Sequence, residues 1–72
     1  MIHIHISSPD GIYTYRQKSG VDLYNLCEMM AFLIRIDFSL VVFAFNGKRI
    51  DKGDTPLSVG MQKGVINYID IY

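Results

Sequence analysis

The amino-acid sequence predicts an α+β fold in which one helix packs across a mixed β-sheet. Residues 2–7 alternate between isoleucine and polar residues, which is the period of a half-buried strand. Residues 22–34 place apolar side chains three and four positions apart, which is the spacing of one helical face. Residues 40–45 and 65–72 are short apolar segments beside turn signals. One helix laid across a sheet of such strands buries the apolar faces of both layers.

The first two strands are predicted to form a hairpin. Ile2, Ile4 and Ile6 share one face of the first strand. The sequence Pro9-Asp10-Gly11 then favours a turn, because proline presets φ, aspartate bonds the backbone and glycine accepts a positive φ. The β-branched and aromatic residues of segment 12–18 are typical of the returning strand.

The helix is predicted to begin at Asp22, whose side chain can cap the free N–H groups. Met29 and Phe32 lie off its apolar stripe, and two alternatives stay open for them: an exposed contact surface, or cover by Ile36 and Phe38. The stripe itself is expected to pack on the first strand and on Phe43 and Phe45. It consists of Leu23, Leu26, Cys27, Met30 and either Leu33 or Ile34.

The rest of the chain is predicted to hold a tight turn and two further strands. Asn46-Gly47 marks the turn, and residues 48–50 return from it. A loop rich in glycine leads to the last strand, whose buried face stays open on hydrophobicity alone. Ile69 and Ile71 are nearly as good inward residues as Ile66 and Tyr68.

Length and composition predict a single domain over residues 1–72. Half of the residues are hydrophobic, and seven basic residues balance seven acidic ones, so there is no basic excess to bind nucleic acid. No charge run suits a membrane surface, and no apolar run spans a bilayer. Cys27 is the only cysteine, which fits a reducing compartment and an intracellular protein, nuclear or cytoplasmic.

No group of residues in the sequence is typical of an enzyme. His3 and His5 share a strand face, but zinc takes three or four ligands, so two solvated histidines are the favoured interpretation. Cys27 lies on the apolar stripe and is expected to be a core residue without a histidine partner. We therefore expect no catalytic residue, no metal, no cofactor and no small-molecule substrate.

The C-terminal half of the sequence resembles SUMO and SUMO-like domains of the ubiquitin superfamily. That resemblance implies a β-grasp fold, and in the last strand it implies that Ile66 and Tyr68 face inward. The matching residues are Phe43, Phe45, Gly47, Arg49, Ile50, Thr55, Pro56, Val59, Gly60, Met61, Val65 and Ile66.

One departure bears on function, because conjugated family members end in Gly-Gly and this sequence ends at Ile71-Tyr72. The resemblance then implies a SUMO-like domain that binds other proteins within a larger protein and is not conjugated. The alternatives are a SUMO-type modifier whose Gly-Gly tail was trimmed and, less favoured, a β-grasp sulfur carrier.

The resemblance also implies a binding groove between the second strand and the helix. Such grooves accept an extended apolar peptide as an added strand, so the expected partners are peptides of that kind or enzymes of the SUMO pathway. The alternative for Leu26 and Met30 is burial in the core. The groove positions are Tyr15, Arg16, Gln17, Lys18, Leu26 and Met30.

A second candidate surface is the open face of the sheet, where ubiquitin carries an aliphatic patch. The corresponding residues here are Val42, Ala44 and Ile69. Ala44 is small, which argues against a patch of the ubiquitin type.

We predict that the chain ending at Tyr72 forms no thioester with a SUMO-activating enzyme, because it has no terminal glycine carboxylate to adenylate. The measurement is a gel after incubation with the enzyme and ATP, with authentic SUMO as the control. An ATP-dependent adduct that a reductant removes would contradict the prediction.

Overall fold

The computed structural model describes residues 1–72 and contains five strands, one α-helix and one short 3-10 helix. In chain order the elements are β1 (Ile2–Ser8), β2 (Gly11–Gln17), α1 (Leu23–Leu33), the 3-10 helix (Phe38–Leu40), β3 (Phe43–Phe45), β4 (Lys48–Arg49) and β5 (Ile66–Ile71).

The five strands form one mixed sheet in the spatial order β2-β1-β5-β3-β4. The central strands β1 and β5 run parallel, and every other neighbouring pair is antiparallel. Helix α1 packs across one face of this sheet, which confirms the predicted α+β, β-grasp fold.

The hairpin of β1 and β2 closes through the turn that the sequence predicted. Ser8 pairs with Gly11, and the Ser8 hydroxyl accepts from the Asp10 N–H at 3.2 Å and donates to the Gly11 carbonyl at 2.9 Å. Gly11 has a φ of 132°, which L side chains rarely adopt. The turn fixes the register, so that Ile4 lies opposite Tyr15.

Helix α1 is capped at both ends by local hydrogen bonds. The Asp22 carboxylate accepts from the Tyr24 N–H at 2.7 Å, as predicted for the N-cap. At the other end Arg35 adopts a left-handed φ of 61°. The Ile36 N–H then donates to the Ala31 carbonyl at 3.0 Å, which ends the helix in the Schellman pattern without a glycine.

The core lies between α1 and the inner face of the sheet, as the sequence predicted. Ile2, Ile4 and Ile6 are buried from β1, and Phe43 and Phe45 are buried from β3. The other members of the cluster are Leu23, Leu26, Cys27, Met30, Ala31, Ile50, Met61 and Ile69.

The last strand buries Asn67 and Ile69, and it exposes about half of the Ile66 and Tyr68 side chains. The inward placement of Ile66 and Tyr68 is therefore wrong, and the alternative with Ile69 and Ile71 inward is correct. Asn67 tolerates burial because its amide donates to the carbonyls of His3 and Gln62, both at 3.0 Å, and its oxygen accepts from the Gln62 N–H.

The third strand is shorter than the predicted segment 40–45 and begins at Phe43. Residues Phe38–Leu40 form the 3-10 helix instead. The Asp37 carboxylate accepts from both the N–H and the hydroxyl of Ser39, at 2.9 and 2.7 Å, and so caps this turn. Local capping therefore outcompetes strand pairing at Leu40.

We expect Phe43→Ala to lower the free energy of unfolding by ~3–5 kcal/mol, because the change leaves a cavity beneath α1. Urea melts monitored by circular dichroism measure this loss, and Phe32→Ala, at a largely exposed aromatic residue, is the matched control. A loss below ~1 kcal/mol at Phe43 would contradict its place in the core.

Candidate protein-binding surface

Strand β2 forms one edge of the sheet, because its only neighbour is β1. It is seven residues long, whereas the opposite edge strand, β4, has two residues. The second strand is therefore a sheet edge, which the addition of a further strand requires. A free edge of that length can pair with another strand.

The backbone groups that point outward from β2 follow from a hydrogen bond of His3. The His3 carbonyl accepts from the Asn67 side chain on β5, so the backbone groups of His3 face β5 and not β2. His3 lies opposite Arg16, which makes theirs a non-hydrogen-bonded pair. The N–H and C=O of Arg16 therefore point away from the sheet, and the alternation of the strand gives Thr14 and Ile12 the same direction.

Tyr13 and Tyr15 place their side chains on the helix side of β2, opposite Ile6 and Ile4. The Tyr15 hydroxyl donates to the Sδ atom of Met30 at 2.9 Å. Burial, and secondarily Tyr13, raises the pKa of Tyr15 above its ordinary value, so the phenol keeps the proton that it donates. Tyr15 thus connects the edge strand to the helix.

Gln17 uses its side-chain amide to hold the segment before the helix. Its Nε2 atom donates to the Val21 carbonyl at 2.9 Å and to the Asp22 carbonyl at 3.4 Å. These bonds cross the seam between β2 and the start of α1, and they give a structural reason for a polar residue at this position.

The six predicted groove residues do not form one accessible surface. Leu26 and Met30 are 8% and 0% exposed, so they belong to the core. Arg16 lies opposite His3 on the sheet face away from the helix, because strand alternation separates it from Tyr15 and Gln17. Its side chain is therefore not part of the rim, and Lys18, two residues later, is exposed just after the end of β2.

Two apolar helix residues that the groove prediction did not include are exposed beside β2. Met29 and Leu33 are 44% and 53% exposed, and their spacing of four places them on one flank of α1. The contact of Tyr15 with Met30 identifies this flank as the β2 side. Tyr24 lies on the opposite flank, where its ring contacts Phe38.

We call the outer edge of β2 together with Tyr13, Tyr15, Met29 and Leu33 the edge surface. These four side chains form its apolar wall. The helix part of this wall could have been found from the sequence, because Leu33 follows Met29 by four residues. Met29 and Phe32 are both exposed, so Ile36 and Phe38 do not cover them, while their role as a contact surface stays a prediction.

The alternative patch of Val42, Ala44 and Ile69 does not form. Ile69 is fully buried on the helix side, where it lies opposite Ile6 and Phe45. Ala44 lies on the other face, opposite Asp70, and is itself 1% exposed. The patch prediction was wrong because Ile69 and Ala44 belong to opposite faces of the sheet.

The open face of the sheet carries polar and aromatic side chains in place of an aliphatic patch. His5 lies opposite Tyr68 across β1 and β5, and their rings meet edge to face at 5.5 Å. His3 lies opposite the half-exposed Ile66. No three histidine, cysteine, aspartate or glutamate side chains lie close enough together to hold a metal ion.

Cys27 is held in an unreactive form. It is 1% exposed, and burial, with a smaller contribution from Asp22, raises the pKa of its thiol to about 12. The thiolate is the nucleophilic form, so a thiol with this pKa stays protonated and inert at neutral pH.

No protein-family model matches this chain, and no curated protein matches it. No helix of the structure has the length and apolar character needed to cross a membrane.

The raised pKa of Cys27 predicts a loss of stability at alkaline pH. The unfolded thiol ionises near its ordinary pKa of 9.0 and the folded thiol near about 12, so the unfolded state binds fewer protons between these values. This part of the stability is complete below pH 9.0 and falls as the pH rises toward 12. We expect the free energy of unfolding to decline less steeply over this range in Cys27→Ala. Equal slopes in urea melts of the two chains would contradict the prediction.

Proposed function

We propose that this chain is a non-catalytic protein-binding domain that accepts an extended segment of a partner protein along the edge surface. The observation that carries the proposal is the free edge of β2, with outward backbone groups at Ile12, Thr14 and Arg16. An added strand satisfies these groups by main-chain hydrogen bonds, and alternate side chains of the segment supply specificity.

The apolar wall of the edge surface supports an apolar segment as the occupant. A strand added beside β2 directs every second side chain toward the helix side, which carries Tyr13 and Tyr15 on β2 and the exposed Met29 and Leu33 on the near flank of α1. Valine and isoleucine suit this position, because β-branched side chains pack well on a pleated surface. One strand buries little area, so we expect weak binding.

Charge at the two ends of β2 sets the direction of the segment. Lys18 is exposed where β2 ends, and Asp10 is exposed in the turn before it begins. An acidic residue of the segment therefore belongs beside Lys18. Such charges act mainly on the rate of encounter and on orientation.

The finer proposal is a SUMO-like domain of a larger protein that is not conjugated. It is supported by the residue pattern shared with that family and by the β-grasp fold. Several of the shared residues have structural roles: Ile50, Pro56 and Met61 are buried. The pattern thus supports the fold more strongly than it supports a particular partner.

We expect a short peptide rich in valine and isoleucine and flanked by acidic residues to shift NMR signals of residues 13–18 and 26–33. The measurement is a titration of the labelled chain up to millimolar peptide. Shifts centred on Val42 and Ala44, or no shifts at all, would contradict the proposal.

Two leucine variants distinguish binding at the edge surface from nonspecific hydrophobic binding elsewhere on the chain. Leu33→Gln removes part of the apolar wall and is expected to weaken peptide binding about fivefold, the equivalent of about 1 kcal/mol of apolar burial. Leu40→Gln is the matched control, because Leu40 is exposed in the 3-10 helix, outside the edge surface. Equal weakening by both changes would count against the edge surface.

A further inference from the structure

We propose that β2 also pairs with β2 of a second copy of this chain, antiparallel and centred on Thr14, to give a dimer with twofold symmetry. This inference rests on the same free edge as the proposed function and names an occupant that competes with the partner segment. In the dimer the two sheets become continuous across the dyad.

The sequence of β2 and its flanks places favourable pairing partners at equal distances on either side of Thr14. Residues 10–18 are Asp-Gly-Ile-Tyr-Thr-Tyr-Arg-Gln-Lys. Antiparallel pairing centred on Thr14 places Tyr13 opposite Tyr15 of the second copy and Asp10 opposite its Lys18. Aromatic pairs and opposite charges are favourable partners directly across two strands, and Thr14 opposite Thr14 is another.

This register also uses every outward backbone group of β2. Ile12 pairs with Arg16 of the second copy and Thr14 with its own counterpart, and each such pair exchanges two N–H···O bonds. A shift by two residues in either direction pairs only two of the three outward residues with one another. A register centred on Arg16, the next one toward the end of β2, places Arg16 opposite Arg16 of the second copy. Repulsion between these like charges disfavours that register.

The apolar wall on the helix side is covered by the same pairing. The tyrosine pairs across the dyad are non-hydrogen-bonded pairs, in which side chains approach most closely. The helices of both copies lie on this same side of the joined sheet, so Met29 and Leu33 of each copy face the dyad. A second copy therefore covers both the free backbone edge and the exposed apolar flank.

Charge favours this occupant in two ways. The formal net charge is zero, so two copies do not repel one another as a whole. Twofold symmetry repeats the pairing of Asp10 with Lys18 at both ends of the interface. Both residues are exposed and free of ion pairs within the chain, so each can turn to the second copy.

A charge exchange tests the register in the full chain. Analytical ultracentrifugation from micromolar to millimolar protein gives the dissociation constant of the dimer. Lys18→Asp and Asp10→Lys each set like charges against one another at both ends, and each is expected to weaken the dimer roughly tenfold. The double variant with both changes restores opposite charges and is expected to return to within roughly threefold of the original chain. A double variant as weak as the single ones would overturn the register, and a chain that stays monomeric at millimolar concentration would overturn the dimer.

Disulfide trapping gives a second measurement, which does not depend on charge. Thr14→Cys places two thiols across the dyad, within ~5.5 Å between Cα atoms, so oxidation is expected to cross-link the dimer. Ile12→Cys is the matched control, because in this register Ile12 lies opposite Arg16 of the second copy. The two introduced thiols are then four strand positions apart and cannot form a disulfide. Cys27 is buried and does not interfere. Cross-linking of Ile12→Cys that equals that of Thr14→Cys would overturn the proposed register.

The peptide titration separates this inference from the proposed function. A chain that binds the peptide but never dimerises retains the proposed function and overturns this inference. A chain that dimerises in the stated register and binds no peptide retains this inference and overturns the proposed function. When both occur, the peptide is expected to dissociate the dimer, because the two occupants share the outward groups of β2.

Discussion

The parallel pairing of β1 with β5 is the contact on which the rest of the structure depends. It joins the two ends of the chain at the centre of the sheet, with Ile4 opposite Asn67 and Ile6 opposite Ile69. Since β5 takes one side of β1 and the hairpin takes the other, β2 has no second neighbour. The free edge is therefore a consequence of topology, and the buried amide of Asn67 fixes it by bonding His3.

The local sequence predicted most of the fold because its signals are short-range. The alternation of Ile2, Ile4 and Ile6, the Asp22 cap and the Gly11 turn each act over a few residues. The buried face of β5 could not be predicted in this way. Either face of β5 carries two large side chains that a core accepts, Ile66 and Tyr68 or Ile69 and Ile71. The choice depends on partners for Asn67 that lie far away in the sequence or in the preceding loop.

The candidate site was predicted less well than the fold, for a related reason. Site positions inferred from a family resemblance do not indicate which of those side chains are buried in this chain. Here Leu26 and Met30 are buried in the core. Met29 and Leu33 remain accessible on the same flank: Met29 precedes Met30 by one residue, and Leu33 follows it by three. Tyr15 lies on the helix side of β2, and its hydroxyl reaches Met30, a contact that no local pattern encodes. The burial of each side chain therefore decides which residues of a predicted groove can contact a partner.

Hydrogen exchange of the β2 amides, measured by NMR on the dilute chain, tests the central claim most directly. The account predicts alternation along the strand: the amides of Ile12, Thr14 and Arg16 exchange rapidly, while those of Tyr13 and Tyr15 are protected by β1. Addition of the apolar peptide, or a rise in protein concentration, should then protect the three outward amides. Uniform protection of β2 in the dilute chain, or outward amides that stay unprotected under every condition, would contradict the account.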